Sequence, residues 1–81
     1  MTIGVYILES ESDGTRYVGM SADVKSRLQE HNRGKSKYTK GHMPWRLIHV
    51  EEYKNREEAR EREKYLKSGV GREWINRTFR K

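Results

Sequence analysis

The segment from Ile3 to Leu8 limits the possible folds more than any other stretch, because its apolar side chains fall on both faces of an extended chain. Ile3, Val5 and Ile7 alternate with Tyr6 and Leu8, so a strand here must be covered above and below. Eighty-one residues fit one domain, 1–81, and leave no room for a second. A chain this short buries only about 60–65% of its extended surface. With 32% hydrophobic residues and no cysteine, its core is thin and must hold by close packing, without a disulfide or structural metal.

The remaining elements follow from turn and cap signals. Glu9 to Thr15 turns at Asp13-Gly14, and Arg16 to Met20 resumes a strand, giving a β-hairpin. Ser21 is placed to cap a helix with Asp23 in its first turn, running to about Asn32 and stopping before Gly34. A polar loop from Arg33 to Pro44 precedes a third strand, Trp45 to Tyr53, in which Trp45, Leu47 and His49 alternate against Arg46, Ile48 and Val50. Asn55 and Glu58 resemble a capping box opening a helix that runs through Lys67, with Gly69 at its C-terminal cap. Gly71 to Phe79, with Trp74, Ile75 and Phe79, reads as a short closing helix. The order β-β-α-β-α-α describes a small α/β (α+β) sandwich with a three-stranded, mainly antiparallel sheet flanked by helices.

Both long helices carry polar residues on the stripe that should pack. In the first, Val24, Arg27, Leu28 and His31 occupy the i, i+3, i+4, i+7 positions; in the second, Ala59, Arg62, Glu63 and Leu66 do. Conflicts of this kind are expected where residues serve chemistry. Each also has a plain structural reading: Arg27 snorkels along the core, His31 ends the helix, and Glu63 and Glu58 pair along the helix with Lys67 and Arg62.

The formal charge of +6 favours a polyanionic partner. Its distribution is more telling, since Arg33, Lys35, Lys37, Lys40 and Arg46 lie in a stretch with no carboxylate, while acids gather between Glu51 and Glu63. That basic stretch is expected to track a nucleic-acid backbone, with Tyr38 or Trp45 available to stack on an unpaired base. Absence of cysteine excludes thiol catalysis and zinc fingers. The longest apolar run is too short for a membrane span, and no secretory signal pattern stands at Met1 to Ser10, so the cytoplasm is the default expectation.

Gly4-Val5-Tyr6 and Tyr17-Val18-Gly19, set on the two hairpin strands, resemble the paired motif that names the GIY-YIG nuclease superfamily. The resemblance continues through Arg27, Glu30-His31-Asn32-Arg33-Gly34, and Ala59-Arg60-Glu61-Arg62-Glu63 followed by Lys67. It is greatest to short, stand-alone members related to the UvrC-type nuclease domain of bacterial excision repair, which share a tail similar to Glu63 to Gly69. The resemblance implies metal-dependent hydrolysis of phosphodiesters by Tyr6, Tyr17, Arg27, His31 and Glu63, with Glu63 the metal ligand, for Mg2+ or alternatively Mn2+. Arg27 would contact the phosphate, and the general base would be Tyr6, favoured here if nearby cations lower its phenol, or else Tyr17 or His31. Val5 and Val18 are mild exchanges for isoleucine, whereas Met20 stands where the excision-repair nucleases carry a lysine. Asn76 resembles a late asparagine of some restriction-type members but lies outside the core site. The expectation is a DNA endonuclease of low sequence specificity in repair or recombination, a monomer or weak homodimer targeted by a protein partner. The rival is a non-catalytic nucleic-acid-binding module.

Overall fold

Strand β1 (Ile3–Ser10) is buried along all eight of its residues, the outcome that apolar side chains on both faces demand. The computed structural model describes residues 2–35 and 37–79. Among them, β1 is the middle of a three-stranded sheet of order β2-β1-β3. Both β2 (Arg16–Ser21) and β3 (Trp45–Tyr53) pair with it antiparallel, so the sheet is antiparallel throughout. Helices α1 (Val24–Asn32) and α2 (Lys37–Lys40) lie between β2 and β3 in the chain, and α3 (Arg56–Lys67) and α4 (Gly69–Thr78) follow. Among the described residues, no helix is long and apolar enough to cross a membrane.

The alternation in β1 divides the core in two. Tyr6 and Leu8 join Trp45 beneath α1, with Tyr17, Val24, Leu28 and Met43 packed around them. On the opposite face Ile3, Val5 and Ile7 meet Val18, Ala59, Leu66 and Ile75 under α3 and α4. Met20, partly buried, packs against this second cluster.

Four local features differ from the sequence reading. Asp23, not Ser21, caps α1 by accepting from the Ser26 amide at 3.1 Å, while the Ser21 hydroxyl accepts from the Asp23 amide at 3.0 Å. The register of β1 against β3 shifts between Ile7 and Leu8, so Ile7 faces His49, Leu8 faces Leu47, and Ile48 is the extra residue of a bulge. Strict alternation along β3 therefore fails: Ile48 packs into the α3–α4 cluster, and the His49 ring also lies on that side, beside Trp74 and Phe79. Arg62 does not pair with Glu58 but reaches Glu51 with Nε at 2.9 Å and Nη2 at 3.1 Å. Burial alone would push the Glu51 carboxyl up, yet hydrogen bonds from Arg62, Tyr53 and His49 bring it down to about 2.

The last difference concerns the end of α3. Ser68, not Gly69, closes the helix, its amide donating to the Tyr65 carbonyl, and its hydroxyl accepts from the Gly71 amide to open α4. With a single residue between them, the two helices touch at once. A methyl group on Gly71 would run into the Tyr65 carbonyl and the Leu66 backbone, whereas one on Gly69 would meet nothing within 4 Å. Gly71→Ala is therefore expected to cost about 1–3 kcal/mol, lowering the midpoint of thermal unfolding by roughly 5–20 °C. Gly69→Ala, by the same measurement, should leave it unchanged or raise it by a few degrees.

Candidate active site

The site begins with a glycine opposite a tyrosine. In the β1–β2 register Tyr6 faces Gly19, and a Cβ on Gly19 would stand 2.5 Å from the Tyr6 hydroxyl oxygen and 2.6 Å from Cζ. Only a residue without a side chain lets the ring lie across β2. Since β2 is an edge strand, Tyr6, rooted in the middle of the sheet and 1% exposed, extends its hydroxyl toward that edge.

There the hydroxyl lies 3.2 Å from Nε2 of His31. His31 sits in the last turn of α1 yet is 3% exposed, and its Nδ1 lies 3.0 Å from the hydroxyl of Thr39 on α2. Both ring nitrogens are thus held, which distinguishes this side chain from a frayed or solvated helix end. Burial pushes the imidazole below its ordinary pKa and the nearby Arg27 charge adds to this, so His31 is neutral at pH 7. Tyr17 packs edge-on against it with ring centres 4.9 Å apart.

The end of α1 is fixed by Asn32. Its side chain accepts from the Trp45 amide at 2.6 Å and donates to the Trp45 carbonyl at 3.0 Å, pairing with the first residue of β3 as a strand would. The Trp45 indole in turn donates to the Thr39 carbonyl at 2.8 Å. Thr39 is thereby set between His31 and the start of β3.

Arg27 and Glu63 act on the Tyr6 phenol from different layers. Arg27 is not buried in the helix stripe: its side chain is 46% exposed at the rim, 3.1 Å from Glu30. Tyr6 and Glu30 both act to hold its guanidinium in the charged form. Glu63, on α3, is 20% exposed and lies 3.4 Å from the Lys67 ammonium. Helix α3 packs against β1 and β2 from the opposite face, and the Glu63 charge still acts on Tyr6. Burial raises the Tyr6 phenol above its usual value, Tyr17 and Glu63 raise it further, and Arg27 opposes them. A cavity of about 130 Å³ opens here, bounded by Tyr17, Arg27, Glu30, His31 and Lys35.

Among the described residues no group of three or more His, Cys, Asp or Glu is placed to hold a metal ion. A cation would have one protein carboxylate, Glu63, and water or substrate oxygens for the rest. The residues fit that role: Glu63 is a hard oxygen donor that already has an ammonium group beside it.

The other sequence candidates divide. Lys35 joins the small cavity. Arg33 is the C-terminal cap of α1, and Arg33, Lys37 and Lys40 are exposed, as is Tyr38 at 55%. Arg46 is engaged elsewhere, 2.6 Å from Glu9, which also holds Arg16 at 3.2 Å across the other side of β1. Trp45 is 3% exposed and closed to a base. The sequence reading missed Thr39 because α2, four residues long, leaves no periodicity inside a stretch that looks like loop. It also missed Gly19 as the reason Tyr6 can reach the edge, although the pairing of the two motifs carries that signal.

Comparison with known proteins agrees with this arrangement. The family model of the GIY-YIG catalytic domain matches residues 2–76. The chain is 45% identical over 64 residues to a UPF0213 protein of Halobacterium salinarum, covering 78% of this chain and 82% of that one. It is 43% identical over 65 residues to one of Staphylococcus aureus, covering 79% and 78%. The solution NMR structure of a UPF0213 protein from Bacillus halodurans is similar at a TM-score of 0.58 and 36% identity, covering 98% of this chain and 86% of that one. With its two motif tyrosines meeting at a buried histidine on the matched fold, the chain belongs to the GIY-YIG family, a family built on a nuclease domain.

Proposed function

We propose that this chain is a metal-dependent endonuclease that hydrolyses phosphodiester bonds in DNA with low intrinsic sequence specificity, serving repair or recombination in the cytoplasm. The supporting observation is the Tyr6 hydroxyl, 3.2 Å from Nε2 of a buried, neutral His31 and under the charge of Arg27. Burial outweighs the lowering by Arg27, so Tyr6 is not a phenolate at neutral pH. A relay removes the difficulty. With the Arg27 charge acting on the phenol oxygen, the Tyr6 proton would point to Nε2 and Nδ1–H would donate to Thr39. As an attacking water gives its proton to Tyr6, Tyr6 gives its own to His31, and the phenol never has to persist as an anion.

Arg27 would leave Glu30 for the phosphate, offering two parallel N–H donors to oxygens on which charge develops. Glu63 would hold one Mg2+ or Mn2+, an ion that stabilises charge on the phosphate and its leaving oxygen and makes water more acidic. Lys67, 3.4 Å from Glu63, would be available to the substrate once that carboxylate is otherwise engaged. Tyr17, edge-on to His31, closes the relay from the side of the cavity. Lys35, with Arg33, Lys37 and Lys40, follows the strand as positioning charge. Targeting would fall to a protein partner, with the enzyme itself a monomer or weak homodimer.

The test is cleavage of labelled single-stranded, duplex, flap and junction DNA with Mg2+, Mn2+ or EDTA. Cleavage should need metal, fall roughly 100-fold in Glu63→Gln, and not be rescued in Arg27→Lys. Cleavage that survives EDTA or matches wild type in Glu63→Gln would overturn the metal role of Glu63, and binding without cleavage of any substrate would hand the case to the non-catalytic binding module. Thr39 gives a separate check. Thr39→Val should slow cleavage about tenfold by freeing the imidazole to turn or change tautomer, while Thr39→Ser, which keeps the hydroxyl, should restore most of the rate.

A further inference from the structure

A second recess, of about 610 Å³, opens where β2 faces α3 and α4, and Tyr17 belongs to its wall as well as to that of the smaller cavity. Its volume is in the range of about 300–1,000 Å³ common to small-ligand sites. Its chemistry is uneven. Val18 and Ile75 give it an apolar lining, Tyr17 and Tyr38 bring ring centres 6.0 Å apart, and Lys67 and Arg72 add cations, with no carboxylate among the lining residues.

Three details separate this recess from a general basic surface. Arg72 makes no side-chain ion pair or hydrogen bond among the described residues, unlike Arg16, which is held by Glu9, Asn76 and the Phe79 carbonyl. Asn76 accepts from Arg16 through Oδ1 at 2.6 Å, which orients its amide and leaves the N–H groups to donate. Lys67 lines the recess while lying 3.4 Å from Glu63, so a group bound here sits next to the carboxylate of the active site.

We propose that this recess takes one unpaired nucleotide next to the scissile phosphate. Its base packs against Tyr17 and Tyr38, its phosphate meets Arg72 and Lys67, and the Asn76 amide donates to an acceptor on the base edge. A paired base cannot reach the apolar lining without leaving its stack, which costs free energy. DNA with an unpaired nucleotide at the cleavage point is therefore the favoured substrate class. The proposal rests on the nuclease reading for the position of the scissile phosphate.

The experiment is equilibrium binding of the full chain, in EDTA and at fixed salt, to a flap DNA and to a blunt duplex of matched length. The flap carries 2-aminopurine at its first unpaired position. Wild type should bind the flap about tenfold more tightly than the duplex and quench the 2-aminopurine. Arg72→Ala and Tyr38→Ala should abolish the preference, and Tyr38→Ala the quenching, while Tyr38→Phe should retain both. Equal affinity of wild type for the two DNAs, or a loss in the variants that is the same on both, overturns the proposal. Because binding is read without metal, failure of the recess and failure of the cleavage reaction give separate results: an inactive enzyme can still prefer the flap, and an active one can lack the preference.

Discussion

The contact on which the candidate site depends is that of the Tyr6 ring with Gly19. A tyrosine on a central strand would ordinarily end inside the core, where its hydroxyl needs a partner and can touch no substrate. The absence of a side chain at position 19 lets this one cross its neighbour toward the edge of the sheet while staying buried. Its hydroxyl there meets His31, and from that bond the remaining requirements follow. The histidine must be neutral, which burial provides, and it must be held in one orientation, which Thr39 provides. The phenol oxygen must have a nearby cation, which Arg27 provides.

The layers divide the labour. In the proposed mechanism α1, on the Tyr6 face, would supply the proton acceptor and the guanidinium, and α3, covering the opposite face, the carboxylate. With β1 in the middle, helices of both layers pack against β1 and β2. The small core suffices because its two halves share one fully buried strand. Two of the acidic residues are tied into the fold. Glu51 gathers Arg62, Tyr53 and His49 at the start of α3, and Glu9 joins β2 and β3 through Arg16 and Arg46. These ties keep Arg16, Arg46 and Arg62 in structural service, not free for a polyanion.

Much of the fold was legible because the sequence punctuates it strongly. The doubly apolar β1, the Asp13-Gly14 turn and the Asn55 cap each allow little else, and Asn55 does accept from the Glu58 amide at 2.9 Å. The bulge at Ile48 was not legible, since a register shift depends on the facing strand rather than on β3 itself. Gly69 misled because a glycine after a helix is a cap signal, and nothing local reveals that a second helix starts there. For the candidate site, the polar residues on packing stripes turn out to occupy quite different environments. His31 is truly buried, Arg27 stands at the rim, and Glu63 is intermediate with the Lys67 pair that its spacing suggested. Thr39 and the recess at Arg72 come from elements distant in sequence and had no local signature.

The relay through Tyr6 is the claim on which the enzymatic account stands, and Tyr6→Phe tests it most directly. Phenylalanine keeps the ring that lies across Gly19 and removes only the hydroxyl, so packing is preserved while proton transfer to His31 is lost. Single-turnover cleavage of labelled DNA with saturating Mg2+, compared with wild type, should fall by at least about 100-fold, with the midpoint of thermal unfolding shifted by only a few degrees. Cleavage at the wild-type rate by a folded Tyr6→Phe protein would contradict the account.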